Sequence, residues 1–454
     1  MNLKRPQNLK PLFRMRARAE TSSRLPGVTL MTVVSLVFSF SVMTYFVRTI
    51  LSIAGPSIMK EFNLSETEMG TVYSAFLLSY ALFMLPGGCL TDLWGPKIAL
   101  TFVAVGSGVL TSLTGFAARP GLGALLGVVP SLLLVRFLLG VCTAPIYPAC
   151  ARINADWIPA KYRGQVQGLI VSGAGLGGAV SPVVFSSMMS RYGWRYSFLF
   201  AGMASVALGM IWCIYMRNRL RHPTDNNQSF RLMKAENKPA QWSLLLRNRN
   251  IVLLALGFMA LDYFEYIFFY WTYYYLSEIR HVEVVQSALY TTLPFTAWTL
   301  MTPVGGWASD RMVAWLGSVG LRIMVIGGLS LSAILLLAGA HVQSVLVTVA
   351  MMSLALGLAA SADVCFWTAT INIAGRQSGT ACGILNTGGN IGGLVAPVLT
   401  PWIAGKAGWS YGLGFGSLMA LAGAVLWLFI DPSRRVGLES GSEETAQCRA
   451  GVGQ

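Results

Sequence analysis

Charged side chains are scarce in this chain of 454 residues, and acidic ones are the scarcest. Asp, Glu, Lys and Arg make up 11% of the sequence, whereas hydrophobic residues make up 54%. Lys and Arg number 33 against 18 Asp and Glu, which gives a net charge of +15 at pH 7. So apolar a mixture excludes an ordinary soluble domain. Most of the basic excess falls in two segments, so it indicates membrane topology rather than nucleic-acid binding.

Histidine and paired cysteine are also rare, which excludes most catalytic and metal-binding chemistry. The three histidines, His222, His281 and His341, fall in predicted loops or at helix ends. The seven cysteines form no C-x-x-C pair, so we predict neither a disulfide framework nor a metal cluster. The sequence contains no nucleotide-binding loop and no nucleophile motif. We therefore predict a protein that is not an enzyme and that holds neither metal nor cofactor.

Long apolar runs are abundant. Twelve of them, from Val28–Ile53 to Tyr411–Ile430, are long enough to cross a ~30 Å hydrocarbon layer as helices. The basic N-terminal segment is typical of a cytoplasmic end, and the even number of spans puts both ends there. A transit peptide has a similar composition, but no cleavage signal follows it. We predict an all-α membrane protein with a cytoplasmic N-terminus (1–27), a six-helix domain (28–216), a basic cytoplasmic linker (217–250), a second six-helix domain (251–430) and a disordered cytoplasmic tail (431–454).

The two predicted domains repeat each other in sequence. Three segments of the first half return in the second at shifts of 215 to 218 residues. Such parallel six-helix repeats build transporters whose two domains rock about a central site. We therefore predict two pseudo-symmetric domains. The matched segments are Gly88-x-x-x-Asp92 with Gly306-x-x-x-Asp310, the glycine-rich stretch from Gly173 with that from Gly388, and Gly193-Trp194 with Gly408-Trp409.

Arg48 lies well inside the first apolar run. A charge within a membrane helix usually faces the bundle interior or a water-filled cavity. The guanidinium group is suited to two-point contact with a carboxylate or phosphate. We therefore hypothesise that the protein handles a small organic anion. Two alternatives stay open: Arg48 could snorkel to an interface, or it could pair with an acidic neighbour.

Three acids lie within apolar runs of the second domain. Asp262 and Glu265 fall near mid-membrane and share a helix face, and Asp363 lies in the tenth run. Like carboxylates in a low-dielectric site do not readily ionise together, so all three are candidate proton carriers. They could equally neutralise a basic partner, or hold sodium with nearby oxygens. The aromatic run Phe264–Tyr275 could line the outer half of a cavity and close it over substrate.

Several segments together resemble the major facilitator superfamily, and within it the anion:cation symporter family of hexuronate, galactonate, glucarate, sialic acid and glutamate carriers. These segments are Gly88–Lys97, Tyr45–Pro56, Tyr80 with Pro86–Gly88, Arg136–Gly140 with Ala144 and Pro145, and Asn386–Asn390 with Pro397. The resemblance implies a carboxylate clamp at Arg48, with Arg136 near the cavity. It also implies substrate contacts from Tyr45, Tyr80, Trp367, Asn386 and Asn390, and cytoplasmic gating contacts from Asp92, Lys97, Asp310 and Arg311.

The chain departs from that family at the usual proton carriers. An Asp usually precedes the first-helix Arg, and a Glu usually stands in the fourth helix; here Val47 and Thr143 occupy these positions. Neither side chain can take up a proton, so family-type coupling at these positions is not available. A drug antiporter is disfavoured, because Gly178 is separated from Pro182 where such proteins tend to carry a Gly-Pro pair.

We therefore expect a monomeric secondary transporter in a bacterial inner membrane, whose partners are the lipid bilayer, a small organic anion and a coupling cation. The expected substrate is a sugar acid such as a hexuronate or aldonate, imported by alternating access with protons. Sodium-coupled or uncoupled carriage of another carboxylate stays open, and so does a non-transporting anion sensor.

Overall fold

The computed structural model describes residues 27–117, 126–158, 163–217, 242–374 and 378–433. The predictions for residues 1–26, for most of the linker and for the tail beyond 433 concern parts of the chain outside these ranges. All regular elements in the described ranges are helical. They are α1 Gly27–Phe62, α2 Glu66–Thr114, α3 Val128–Thr143, α4 Ile146–Trp157, α5 Arg163–Arg217, α6 Trp242–Arg247, α7 Arg249–Tyr274, α8 Val284–Leu316, α9 Ser318–His341, α10 Val345–Ala374, α11 Ser378–Ala407 and α12 Trp409–Leu428.

These helices make twelve membrane crossings. α2 and α5 contain 49 and 55 residues, lengths of about 75 and 80 Å that suffice for two crossings each. Each breaks once, at Gly95 (φ 79°) and at Gly193 (φ 76°). α3 and α4 form one crossing interrupted at Ala144 and Pro145, and α1 and α7 to α12 form one each. The predicted fold class is therefore confirmed: twelve membrane helices in two six-helix halves.

Hydropathy alone recovers fewer crossings than the fold contains. In the described part of the chain, nine helices are long and apolar enough to qualify as spans. α5 is counted once although it crosses twice. Neither the first half of α2 nor α8 is among these nine helices. α8 is less apolar because it carries two internal prolines and ends with Asp310 and Arg311. The breaks at Gly95 and Gly193 separate the two crossings within α2 and within α5.

The sequence repeat has a structural counterpart at two glycines. Gly193 and Gly408 both have positive φ, 76° and 98°, and each precedes a tryptophan that begins the next crossing. Only glycine adopts this conformation without a steric penalty from Cβ. The chain therefore turns between crossings five and six in the same way as between eleven and twelve.

The glycine-rich stretches repeat a helix pairing. Gly173 and Gly177 of α5 pack against α1, and their counterparts Gly388 and Gly392 of α11 pack against the backbone of α7. A β-carbon at Gly177, Gly388 or Gly392 would lie 2.0 to 2.3 Å from a carbonyl oxygen of the neighbouring helix, and one at Gly173 would lie 3.0 Å from Ser41 Cβ, so glycine allows the close approach. The α1–α5 pair of the first half is thus reproduced as α7–α11 in the second.

The two halves meet through α1 with α7, α2 with α11, and α5 with α8. We call the end of the bundle where α1 ends and α2 begins the outer end, because it faces outward in the predicted topology. There the Tyr274 hydroxyl donates to Glu66 Oε1 (2.5 Å), and the Ser74 hydroxyl donates to the carbonyl of Leu394 (2.7 Å). The ring of Tyr73 on α2 stacks on the ring of Tyr270 on α7, with centroids 4.9 Å apart. The halves are therefore joined at the outer end.

Toward the opposite, inner end the halves are joined less. The innermost hydrogen bond between them, among the side chains that the structure describes, runs from Asn386 Nδ2 to Met84 Sδ (3.2 Å). Sulfur is a weak acceptor, so this contact contributes little stability. Beyond Met84, as far as the break at Gly95, the described side chains of α2 form no hydrogen bond with the second half.

Candidate functional site

Arg48 lies at the centre of the interface between the halves. Its side chain is only 5% exposed, and its Nη2 donates a hydrogen bond to the hydroxyl of Tyr266, across the interface on α7. Its Nε is buried and has no hydrogen-bond partner. A guanidinium has five N–H donors, so one neutral phenol leaves most of its hydrogen-bonding capacity unused. Arg48 therefore faces the bundle interior and does not snorkel.

Aromatic rings surround this guanidinium from both halves. Cation–π interactions of this kind stabilise the charge but offer no acceptor for its N–H groups. The cage therefore shields Arg48 from bulk solvent and leaves it able to bind an anion. Ring centroids lie 4.9 to 6.0 Å from the Arg48 Cζ and belong to Tyr45, Phe76, Tyr80, Tyr266 and Phe269.

Arg136 supports Arg48 from α3. Its side chain is 1% exposed, and its Nη2 donates to the backbone carbonyl of Arg48 (3.1 Å). Its guanidinium lies over the ring of Phe76, and its Nε has no partner. Arg136 therefore holds the backbone of the clamp residue and adds a second positive charge behind it.

The three acids of the second half form one cluster opposite Arg48. Asp262 interacts electrostatically with Arg48 and Asp363, and Glu265 interacts with Asp262 and Asp363. Glu265 is buried, and its Oε1 has no hydrogen-bond partner. Among the described residues, neither arginine lies within ion-pair distance of these carboxylates. Simple neutralisation of an arginine in a contact ion pair therefore does not account for the acids in this conformation.

An aromatic pair and two amides complete the second half of the site. Trp367 lies one helical turn from Asp363 on α10, and its ring packs edge-on against Phe258 (5.7 Å between centroids). Asn390 Nδ2 donates to the carbonyl of Asn386 (2.8 Å), so it is used within α11. Within the described part of the chain, the amide oxygens of Asn386 and Asn390 accept no hydrogen bond, so both can accept from a ligand hydroxyl.

The structure brings the substrate-binding and proton-carrying candidates to one interface but leaves the gating candidates apart. Asp310 and Arg311 are exposed at the inner end, and the guanidinium of Arg311 lies over Trp315 (5.2 Å). Lys97 is half-buried beyond the break in α2, and the side chain of Asp92 lies outside the described part of the structure. No ion pair involves these gating candidates among the described side chains.

Sequence reasoning missed two residues of the site. Phe76 contacts both arginines and stacks on Tyr80 (5.9 Å), so the i, i+4 spacing to Tyr80 was the available signal. Tyr147 lies within reach of the side chains of Tyr45 and Ser41. It falls between two prolines just after the break that separates α3 from α4, and that break directs it toward α1.

The two positions that usually carry protons hold inert side chains. Val47 is buried in the hydrophobic core. Thr143 is buried, and its hydroxyl donates within α3 to the carbonyls of Leu139 (2.9 Å) and Gly140 (3.1 Å). The titratable groups near Arg48 are therefore the tyrosines and the acids of the second half.

Comparison with known proteins agrees with this architecture. Residues 37–359 and 312–452 match the profile of the Major Facilitator Superfamily. The chain is 29% identical over 419 residues to a probable sulfoacetate transporter of Cupriavidus necator, covering 89% of this chain and 94% of that protein. It is 26% identical to a hexuronate transporter of Bacillus subtilis, covering 90% and 96%. A crystal structure of a bacterial homologue of the human lysosomal transporter Spinster superposes with a TM-score of 0.71 at 17% identity, covering 88% and 96%.

Proposed function

Because the chain belongs to the Major Facilitator Superfamily, we propose that it transports a small organic anion across a bacterial inner membrane by alternating access. It is a membrane transport protein rather than an enzyme. The proposed substrate is a sugar acid, such as a hexuronate or aldonate, or a carboxylate of similar size. Relatives named as sulfoacetate and hexuronate transporters support an anion of this class. The proposed coupling is symport with protons, and the proposed unit is a monomer with both chain ends in the cytoplasm.

The observation that carries the proposal is the incompletely bonded guanidinium of Arg48. A buried cation whose hydrogen-bond acceptors among the described side chains are neutral phenols is costly unless an anion completes its hydrogen bonds. A carboxylate between Arg48 and the second half would accept two parallel N–H bonds and leave the aromatic walls in place. Tyr45, Tyr80, Asn386 and Asn390 would then contact the hydroxyl groups of a sugar acid, with Trp367 packing against its carbon chain.

The acids of the second half support proton coupling. Asp262, Glu265 and Asp363 are the carboxylates at the site, and none forms a contact ion pair within the described residues. A proton needs one carboxylate oxygen, whereas sodium needs several oxygen ligands together.

The contacts between the halves support alternating access. The outer end is joined by Tyr274 with Glu66 and by Ser74 with Leu394, whereas beyond Met84 the described side chains in the inner part of α2 form no such hydrogen bond. This arrangement fits a carrier whose site opens toward the cytoplasm. In the opposite state, we propose that Asp92, Lys97, Asp310 and Arg311 make contacts that close the inner end.

The test is counterflow in proteoliposomes loaded with unlabelled D-galactonate, D-glucuronate or sulfoacetate, with the same labelled anion outside. Wild type should exchange at least one of these anions. Arg48→Lys should reduce exchange at least tenfold, because the ammonium group cannot reproduce the two-point contact. Arg247→Lys is the matched control, since Arg247 is exposed on the short helix α6 outside the bundle. Exchange that is absent in wild type, or unaffected by Arg48→Lys, would contradict the proposal.

A further inference from the structure

We propose that Asp262 is the coupling acid and that it competes with the transported carboxylate for Arg48 across the interface between the two halves. This inference rests on the proposed function. In the empty carrier, ionised Asp262 on α7 balances the charge of Arg48 on α1. When Asp262 takes a proton from water, the positive charge of Arg48 is no longer balanced and attracts the substrate carboxylate. Substrate and proton therefore bind together, and Asp262 returns the proton to water when the substrate leaves on the other side.

The spacing of residues on α7 brings Asp262 to the clamp. Asp262, Tyr266 and Phe269 lie at i, i+4 and i+7, so they share one helix face. Tyr266 accepts the hydrogen bond from Arg48, and the ring of Phe269 lies 5.9 Å from the Arg48 Cζ. Asp262 occupies the next turn toward the inner end and interacts electrostatically with Arg48 without a contact ion pair. A substrate carboxylate bound at Arg48 would thus face Asp262.

Helix α11 leaves room for this carboxylate. The Oδ2 of Asp262 occupies the space that a β-carbon would take at Gly389, next to the ring of Phe258. The corresponding residue of the first half, 215 positions earlier, is Ala174, which has a β-carbon. The repeat therefore differs at the position where α11 accommodates the acid, as it also does at the next position, where Gly175 aligns with Asn390. Asp262 is only partly buried, so it stays accessible to water.

The groups around Asp262 distinguish it from the other two acids. It faces Arg48 and Tyr45 from α1, Glu265 and Tyr266 from its own helix, and Asp363 from α10. Glu265 interacts with the other two acids, and Asp363 lies beside Trp367. Asp262 thus combines an interaction with the clamp with access to water.

In this arrangement, whether Asp262 is protonated depends on whether the substrate anion is bound. An anion bound while Asp262 is ionised would put two negative charges against Arg48 across the interface. Protonation removes one of them, so the loaded state that rearranges contains one anion and one proton. Because Arg48 and Asp262 belong to different halves, the change in charge acts on the interface that must open and close.

The experiment measures binding against pH with the anion that wild type exchanges, out of D-galactonate, D-glucuronate and sulfoacetate. The Kd of purified protein is measured by calorimetry from pH 5.5 to 8.5. If binding of the anion requires uptake of one proton, the Kd of wild type should rise about tenfold per pH unit at alkaline pH, where Asp262 of the empty carrier is ionised. Asp262→Asn should keep the low-pH Kd at every pH and retain counterflow, but it should lose accumulation driven by a proton gradient. Asp262→Glu should keep the slope.

Glu283→Gln is the matched control, because Glu283 is exposed just before α8 and its side chain caps nothing. In Glu265→Gln and Asp363→Asn, the Kd should still rise about tenfold per pH unit on the alkaline side. Only the pH at which this rise begins should change. Size-exclusion profiles and melting temperatures check folding, and Asp262→Ser replaces the Asn variant if that variant does not fold.

Three results would overturn the proposal: a wild type that exchanges the anion with no pH dependence of binding, an Asp262→Asn variant that keeps the slope, or a folded Asp262→Asn variant that binds no anion. The proposed function fails separately, when wild type exchanges none of the three anions.

Discussion

Removing one hydroxyl at the outer end should shift the carrier toward its outward-facing state. Tyr274→Phe deletes the hydrogen bond to Glu66 but keeps the ring, which packs against Trp271 and Trp409 (5.5 and 5.4 Å between centroids). A hydrogen bond to a charged group contributes about 1.5–3 kcal/mol. Glu66 is half-exposed and can be hydrated after the change, so the loss should be near the lower end of this range, about 1.5 kcal/mol. That corresponds to about a tenfold shift in the ratio of the two states.

The assay is a distance measurement between spin labels at Lys60 and His341, which are exposed near the outer end in different halves. The native cysteines are replaced first. The population with the longer distance should grow about tenfold in Tyr274→Phe if it is minor in wild type, and affinity for external substrate should rise by a similar factor. Tyr290→Phe is the matched control, because the Tyr290 hydroxyl bonds Gln286 of the same helix. Equal distance distributions in both variants would refute the role assigned to the outer contact.

Three further predictions concern packing, capping and support of the clamp. Gly392→Ala should destabilise the protein by roughly 1–3 kcal/mol, because the new β-carbon meets the backbone of α7. Gly327→Ala is the control, because Gly327 on α9 faces open space, and it should leave the stability unchanged. The melting temperatures of the two variants test this difference. Hydrogen bonds from the backbone and hydroxyl of Ser65 lower the pKa of Glu68 in the first turn of α2, before its membrane crossing. The stabilisation is therefore present above the ordinary glutamate pKa and lost as pH falls through the lowered one. Ser65→Ala should lower the melting temperature at pH 7 more than at pH 3.5, and an equal effect at both would contradict this assignment. Arg136→Lys should weaken anion binding, measured by calorimetry, at least tenfold, with little change in melting temperature. An unchanged affinity would show that Arg136 does not position the clamp.

The aromatic run of α7 shows where prediction from sequence stops. The run indicated that some of its rings line the site, but all faces of the helix are aromatic. Tyr266 and Phe269 contact Arg48, Tyr270 stacks on Tyr73, and Phe264 packs in the core, because α1, α2 and α11 surround the helix on different sides. Which ring meets which neighbour depends on the rotation of α7 in the bundle.

The sequence by itself determined the membrane class, predicted twelve crossings in two halves, and favoured an arginine that faces the interior. These follow from hydrophobic length, from a repeat with matched glycines, and from the cost of a charge in hydrocarbon, all of which act locally along the chain. Only the tertiary structure decided that Asp262 stands against Gly389 and opposite Arg48, that Tyr147 reaches Tyr45, and that the outer end is joined. These contacts join residues up to 320 positions apart. They depend on how rigid helices pack in three dimensions, which no local pattern records.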